Sequence, residues 1–259
     1  MTSPEDVVTL SVERSGSGPL AVLLHGITEN RHSLDPVIPA LAEHFTVLSV
    51  DLRGHGKSPH ASSYDLRAMA ADVADAVSTA GFADVEPLVI GHSLGGAVAA
   101  VYAGAYPVFG VINVDQPLDL AGFQAALKPI EPLLRSEAFI QVITGMFGQM
   151  YGALPAPEVE RISALRRPEQ PVVLGIWDPI LTLPVDQLAT LVDSVIAPST
   201  PYPYLEIHGS PVGPGYSDWL RERIPGAVVE DWGGVGHYPH LVEPERFVSR
   251  VLAFSGAVG

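Results

Sequence analysis

Apolar residues follow two rhythms along this chain. Short unbroken runs, "LAVLLHG" from Leu20 to Gly26 and "FTVLSV" through Val50, are too brief for helices and lead into Gly-rich loops, so each predicts a buried strand. Between them "SLDPVIPALAEHF" has helical spacing, with Leu34, Ile38, Leu41 and Ala42 on one face. "YDLRAMAADVADAVSTAGF" predicts a second helix that turns Leu66, Met69, Val73 and Val77 inward and stops at Gly81. "PLVIGHS" and "FGVINVDQP" predict two more strands, with "LGGAVAAVYAGAYP" as the helix between them. Strand and helix alternating at this spacing predict an α/β fold, a mostly parallel, doubly wound sheet covered on both faces.

From about Pro117 to Ser199 the rhythm changes. "LAGFQAALKPIEPLL", "SEAFIQVITGMFGQMY", "PEVERISALRR" and "PVDQLATLVDSVIA" read as helices separated by prolines, and "PVVLGIW", strand-like in composition, is assigned to a helix as well. Helices grouped inside an α/β alternation predict an inserted lid. The chain then divides into a first core part at 1–116, a helical lid at 117–199 and a second core part at 200–259. Strands resume with "YLEIHG" and "AVVEDWGG", and "EPERFVSRVLAF" closes as a helix. No internal repeat interrupts this plan, and only the first few residues and the "SGAVG" tail lack ordering signals.

Composition narrows the chemistry. The 259 residues suit one domain with an insertion, and a 47% hydrophobic content can fill a sizeable core. No apolar stretch has the length of a membrane span, and the acidic start "MTSPEDVVTL" lacks a signal-peptide pattern, so a cytoplasmic protein is expected. Absent cysteine excludes disulfides, thiolate nucleophiles and Cys-bound zinc. A net charge of −15 argues against a nucleic-acid partner, which would need cations to neutralise phosphates. "GHGKS", Gly54 to Ser58, lacks the preceding spacing of a phosphate-binding loop. The expected partner is a small molecule, with no metal or cofactor; monomer or homodimer is left open.

"GHSLGG", Gly91 to Gly96, fits G-x-S-x-G between an apolar strand and an Ala-rich helix. That turn lifts Ser93 Oγ above the sheet at a helix N-terminus, where main-chain N–H groups favour developing negative charge. Taken with "LLHG", "DLRGHGKS" and "GVGHYPHLVEPERF", in this order and spacing, the chain resembles the α/β-hydrolase fold superfamily from about residue 18 to 254. It is most similar to lid-bearing serine hydrolases of the esterase and lactonase kind.

The resemblance implies Ser93 as nucleophile, His237 as base, and main-chain N–H groups of Ile27 and Leu94 as oxyanion donors. His240 is the nearby rival of His237. Asp51 and Arg53 are assigned to tying down a loop. The usual triad acid, three residues after Gly209, is missing, because that position is Val212. Asp115, at the tip of the strand before the lid, is the main candidate for the acid; Asp218 and no acid at all are the alternatives. The lid offers Phe123, Leu127, Phe139, Ile143, Met146, Phe147, Met150, Tyr151 and Trp177 to a largely apolar pocket, which Val212 walls. His92, beside Ser93, is expected to point away from it as a packing or loop residue bordering that pocket. A serine at position 93 argues against the dehalogenase and epoxide hydrolase chemistry of this fold, which uses an Asp nucleophile. Ester or lactone cleavage is expected; C–C bond hydrolysis, thioester hydrolysis and a catalytically silent binding pocket stay open.

Overall fold

The computed structural model describes residues 7–197 and 201–258. Expectations for the first six residues, for the end of the tail and for the boundary at 199 lie outside the described residues. The sheet consists of β1 (Val12–Gly16), β2 (Leu20–Leu24), β3 (Thr46–Val50), β4 (Leu88–His92), β5 (Gly110–Val114), β6 (Tyr204–His208) and β7 (Val228–Asp231). Their order is β1-β3-β2-β4-β5-β6-β7; β1 runs antiparallel to β3, and all other neighbours are parallel. Every residue of β2, β3, β4, β5 and β6 is buried, as expected of strands covered on both faces. Strand β1 escapes the hydrophobic pattern because it is an edge strand, largely exposed and carrying Glu13 and Arg14.

Alternation along each strand sorts side chains into two cores. Val22, Leu48, Val89, Val111 and Tyr204 face α2 (Leu66–Val77) and α3 (Leu94–Ala105). Leu23, Val47, Ile90, Ile112 and Leu205 face α1 (Ile38–Ala42) and, through Phe247, Val251 and Phe254, the last helix. The stretch from Ser33 to Phe45 keeps its inward face but is not one helix. A 3-10 turn at Arg31–Leu34 precedes α1, because Pro36 and Pro39 interrupt helical hydrogen bonding. Helix α2 is capped by the Asp65 side chain and ends in a wide turn, Ser78–Phe82, where Gly81 takes φ +92°.

Between β5 and β6 lie α4 (Ala121–Leu127), α5 (Glu131–Leu134), α6 (Phe139–Gly148), α7 (Ala156–Leu165), α8 (Gln170–Thr182) and α9 (Val185–Ile196). "PVVLGIW" lies within α8. After β6 come α10 (Tyr216–Arg223), then β7, the short α11 (Pro239–Val242) and α12 (Pro244–Val258). Among the described residues no single helix is long and apolar enough to cross a membrane.

The turn from β4 into α3 is tightly packed against main chain. A Cβ on Gly91 would stand 2.0 Å from Gly95 O, and one on Gly95 would stand 2.3 Å from Leu24 O. Both approaches are to main chain, which cannot swing aside. We therefore expect Gly91→Ala to destabilise the fold by about 3 kcal/mol or more, the upper range for overpacking, read as a lowered urea midpoint. An unchanged midpoint would show that the turn has slack.

Candidate active site

All parallel strands present their carboxyl ends at one edge of the sheet, and the chemistry-bearing residues gather there. Ser93 follows β4 directly, in a strained conformation (φ 51°, ψ −123°) that a non-glycine residue adopts only when its surroundings impose it. The surroundings are main-chain bonds: Ser93 N–H donates to Val114 O at 2.9 Å, and Gly96 N–H donates to Ser93 O at 2.7 Å. One strand over, Asp115 also has positive φ (56°), with its N–H donating to Ile207 O at 2.8 Å. The sheet ladder thus continues past β5 before the chain turns, and the left-handed turn aims the carboxylate along the edge.

His237 comes from the loop after β7. Its Nδ1 lies 2.6 Å from Asp115 Oδ2, which sets Nδ1–H as donor and leaves Nε2 free to accept a proton. Main-chain bonds fix the same residue: His237 N–H donates to Met150 O at 3.1 Å, and His92 Nε2 lies 2.8 Å from His237 O. Asp218 is elsewhere. It is exposed in the first turn of α10, pairs with Arg221 at 3.3 Å and is absent from the cavity lining. His240 is buried beneath the loop with both ring nitrogens unpartnered, its ring 4.6 Å from that of His92.

The turn after β2 packs against the elbow; a Cβ on Gly26 would stand 3.4 Å from Ser93 Cβ. Neither Ile27 N–H nor Leu94 N–H donates to a protein acceptor among the described residues. His25 steadies this turn, with Nδ1 2.8 Å from Gly26 O while Nε2 accepts Leu52 N–H at 3.0 Å. Asp51 accepts main-chain N–H groups of Arg31 and Lys57 as well as the Arg31 guanidinium, and Arg53 forks onto Asp72. On the other side, Arg166 at the end of α7 bonds Thr28 Oγ1 at 2.7 Å and Glu29 Oε1 at 3.0 Å, also contacts the Tyr238 hydroxyl, and stacks 3.9 Å above the Phe147 ring.

A cavity of about 1000 Å³ opens on this edge. Ser93, Asp115, His237 and Ile27 border it, with Phe123, Met146, Phe147, Met150, Trp177 and Val212 among its apolar walls. Five residues expected at the pocket are not in its lining. Phe139 and Ile143 share the buried face of α6 with Phe147 at four-residue spacing, and only the end of that helix reaches the cavity. His92 lies under the His237 loop, its ring 4.7 Å from that of His237 and 4.8 Å from that of Tyr238. Leu127 and Tyr151 are likewise outside the lining.

Sequence reasoning passed over two residues at the site, Glu206 and His208. They stand two apart on β6 and are both buried, with His208 Nδ1 3.7 Å from Asp115 Oδ1 and Nε2 2.7 Å from Glu206 Oε1. The latter contact is bent away from the ring N–H direction, an ion pair rather than a linear hydrogen bond. Glu206 also accepts the Tyr216 hydroxyl at 2.7 Å, and Gly209 N–H donates to Asp115 Oδ1 at 2.7 Å. Burial opposes ionisation of Asp115, but the His208 imidazole beside it and the hydrogen bonds from His237 and Gly209 prevail and hold the carboxyl well below the usual range. Burial likewise disfavours the His208 cation, yet Asp115 and Glu206 outweigh it and raise that imidazole to about 9. Burial raises Glu206. The signal available in sequence was a polar pair on one face of a strand whose other residues are apolar. Among the described residues no group of three or more His, Cys, Asp or Glu is arranged to hold a metal ion.

A model of the alpha/beta hydrolase family matches residues 21–250. The 2-(acetamidomethylene)succinate hydrolase of Mesorhizobium japonicum is 28% identical over 267 residues, covering 96% of this chain and 92% of that protein. The pimeloyl-(acyl-carrier protein) methyl ester esterase of Chromobacterium violaceum is 30% identical over 264 residues, covering 95% and 97%. In fold, a thermophilic esterase from Thermogutta terrifontis matches with a TM-score of 0.74 at 23% identity, covering 96% of this chain and 93% of that one.

The buried imidazoles make stability depend on pH in both directions. Burial lowers His25, His55, His92 and His240 below 6.5, to about 3 for His55 and about 4 for His92. Below pH 6.5 the unfolded chain therefore binds more protons than the folded one, and each such group removes about 1.4 kcal/mol per pH unit until its folded value is reached. His208 is raised, so its contribution is complete below 6.5 and is lost as pH climbs through about 9. Urea unfolding should give its highest midpoint near neutrality and fall toward both pH 4.5 and pH 9.5. A midpoint still rising below pH 6 would contradict this.

Proposed function

The chain belongs to the alpha/beta hydrolase family, and from that premise we propose that it is a serine hydrolase cleaving a carboxylic ester or lactone of a largely apolar, uncharged small molecule. The observation that carries this reading is the 2.6 Å contact of His237 Nδ1 with Asp115 Oδ2, at the wall of the cavity that Ser93 also lines. His237 Nε2 takes the Ser93 proton as Oγ attacks the substrate carbonyl. The Ile27 and Leu94 N–H groups hold the tetrahedral oxyanion, each donor contributing on the order of 3 kcal/mol. The intermediate collapses, His237 gives its proton to the departing alkoxide, and Ser93 is left acylated. Water, deprotonated by His237, then cleaves the acyl-enzyme and restores Ser93. Asp115 fixes the tautomer of His237 and stabilises the imidazolium. Residues 117–199 serve as a lid whose apolar side chains exclude water from the acyl group.

The charge of the cavity supports an uncharged substrate. Among the described residues its lining holds the carboxylates of Asp115 and Asp119 and no lysine or arginine, and its imidazoles belong to His208 and His237. The succinate in the name of one similar protein would meet these two carboxylates on this wall. The esterase name of another supports ester cleavage.

A fluorophosphonate probe should label Ser93 and fail to label Ser93→Ala; an unlabelled wild type would instead indicate a silent binding pocket. On neutral aryl esters, Asp115→Asn should lower kcat on the order of 10⁴-fold, because Asn tolerates the left-handed turn while removing the charge. Asp218→Asn should stay near wild type, and the reverse pattern would overturn the assignment. A p-nitrophenyl ester carrying a free carboxylate on its acyl chain should show kcat/KM at least about tenfold below its neutral counterpart, one unfavourable charge contact of ~1.4 kcal/mol.

A further inference from the structure

The turn after β6 carries no acid, yet the strand leading into it supplies two buried ionisable side chains that the proposed mechanism does not use. We propose that His208, held by Glu206, is a positioning residue. As an imidazolium between two carboxylates it restrains Asp115 Oδ1, so that Oδ2 stays aimed at His237. This inference rests on the reading of Asp115 and His237 as the acid and base of the site.

Geometry carries the argument. Asp115 Oδ1 receives Gly209 N–H at 2.7 Å and faces His208 Nδ1 at 3.7 Å, while Oδ2 meets His237 Nδ1 at 2.6 Å. The carboxylate is thus divided, one oxygen bound by the turn after β6 and one by the loop after β7. Behind His208, Glu206 is completely buried. Its Oε1 is fixed by the Tyr216 hydroxyl from α10, which itself accepts Leu118 N–H at 2.8 Å.

The charged and titratable groups around His208 are Glu206 on its own strand, Asp115 from β5, Tyr216 from α10 and, through Asp115, His237. Asp231, its register neighbour on β7, is exposed and accepts Gly233 N–H. No arginine or lysine pairs with Asp115 or Glu206 among the described residues. A neutral His208 would leave two buried carboxyl groups facing each other without a cation between them, which burial penalises strongly. A cationic His208 also opposes the positive charge that His237 gains when it takes a proton.

Two measurements separate this role from simple packing. Nitrogen-15 NMR of histidine-labelled wild type, with His208→Gln supplying the assignment, reads the ring directly and needs no turnover. His208 should show two protonated nitrogens through pH 8, and a neutral ring at pH 7 would overturn the proposal. In steady-state kinetics on a neutral ester, His208→Gln should lower kcat about tenfold, the scale for outer partners of a working histidine, with KM changed little. It should also move the acid limb of kcat/KM upward by about one pH unit, because a neighbouring cation is gone. An unmoved acid limb, or a loss confined to KM, would overturn the positioning role. If His208→Gln does not fold, the wild-type spectrum, assigned with Glu206→Gln by the fall it should cause in the His208 titration point, decides alone. Failure of the underlying reading is distinguishable: Asp115→Asn would then retain its kcat whatever charge His208 carries.

Discussion

The carboxylate of Asp115 joins pieces of chain that sequence keeps far apart. Through it the end of β5, the turn after β6 and the loop after β7 meet within hydrogen-bond distance. A carboxylate this buried is tolerated only with its partners in place, because desolvation would otherwise drive it to the neutral form. The partners in turn need the left-handed turn at Asp115, which the ladder bond to Ile207 holds shut. Sheet register therefore determines where the imidazole of His237 can sit. The local strain at Asp115 and Ser93, of order 1–3 kcal/mol for each such residue, is offset by the surrounding ladder.

A second buried network ties the turn after β2 to the loop of His237. Glu29 receives the Tyr238 hydroxyl at 2.7 Å and the Arg166 guanidinium at 3.0 Å, while His92 lies 3.9 Å from its other oxygen. The turn after β2, the helical segment and the loop of His237 are thus tied to one charge. Arg166 also covers Phe147, a residue of the cavity wall. Removing either partner would leave the other charge buried and unpaired, which costs more than the pair contributes. The placement of Ile27 and that of His237 are coupled by this seam, although no bond joins them directly.

The resemblance to hydrolases of this fold put the expected acid after β6, and the sequence there offers Ser210, Pro211 and Val212 instead. Those residues line the cavity, and the carboxylate beside His237 comes from the end of β5 instead. Strand-end position alone was enough to nominate Asp115, because parallel strands expose their carboxyl ends together. It could not dismiss Asp218, whose exposure on α10 is a property of how that helix packs. Pocket membership was legible only in part for a related reason. Hydrophobicity cannot say which apolar face of a helix meets a cavity and which meets its neighbours, so Phe139 and Ile143 looked no different from Met146 and Phe147.

What the sequence determined by itself was the alternation of strand and helix and the elbow at Ser93. These follow from local periodicity and from glycines whose neighbours forbid a Cβ. Edge strand β1 was invisible because an exposed strand needs no apolar run. Only the tertiary structure decided which carboxylate meets His237, and that Glu206 and His208 stand behind it. Such pairings depend on the register of strands that are consecutive in the sheet but separated by whole helices in the chain. A side chain's charge and basicity belong to that assembled neighbourhood, and no window of sequence contains it.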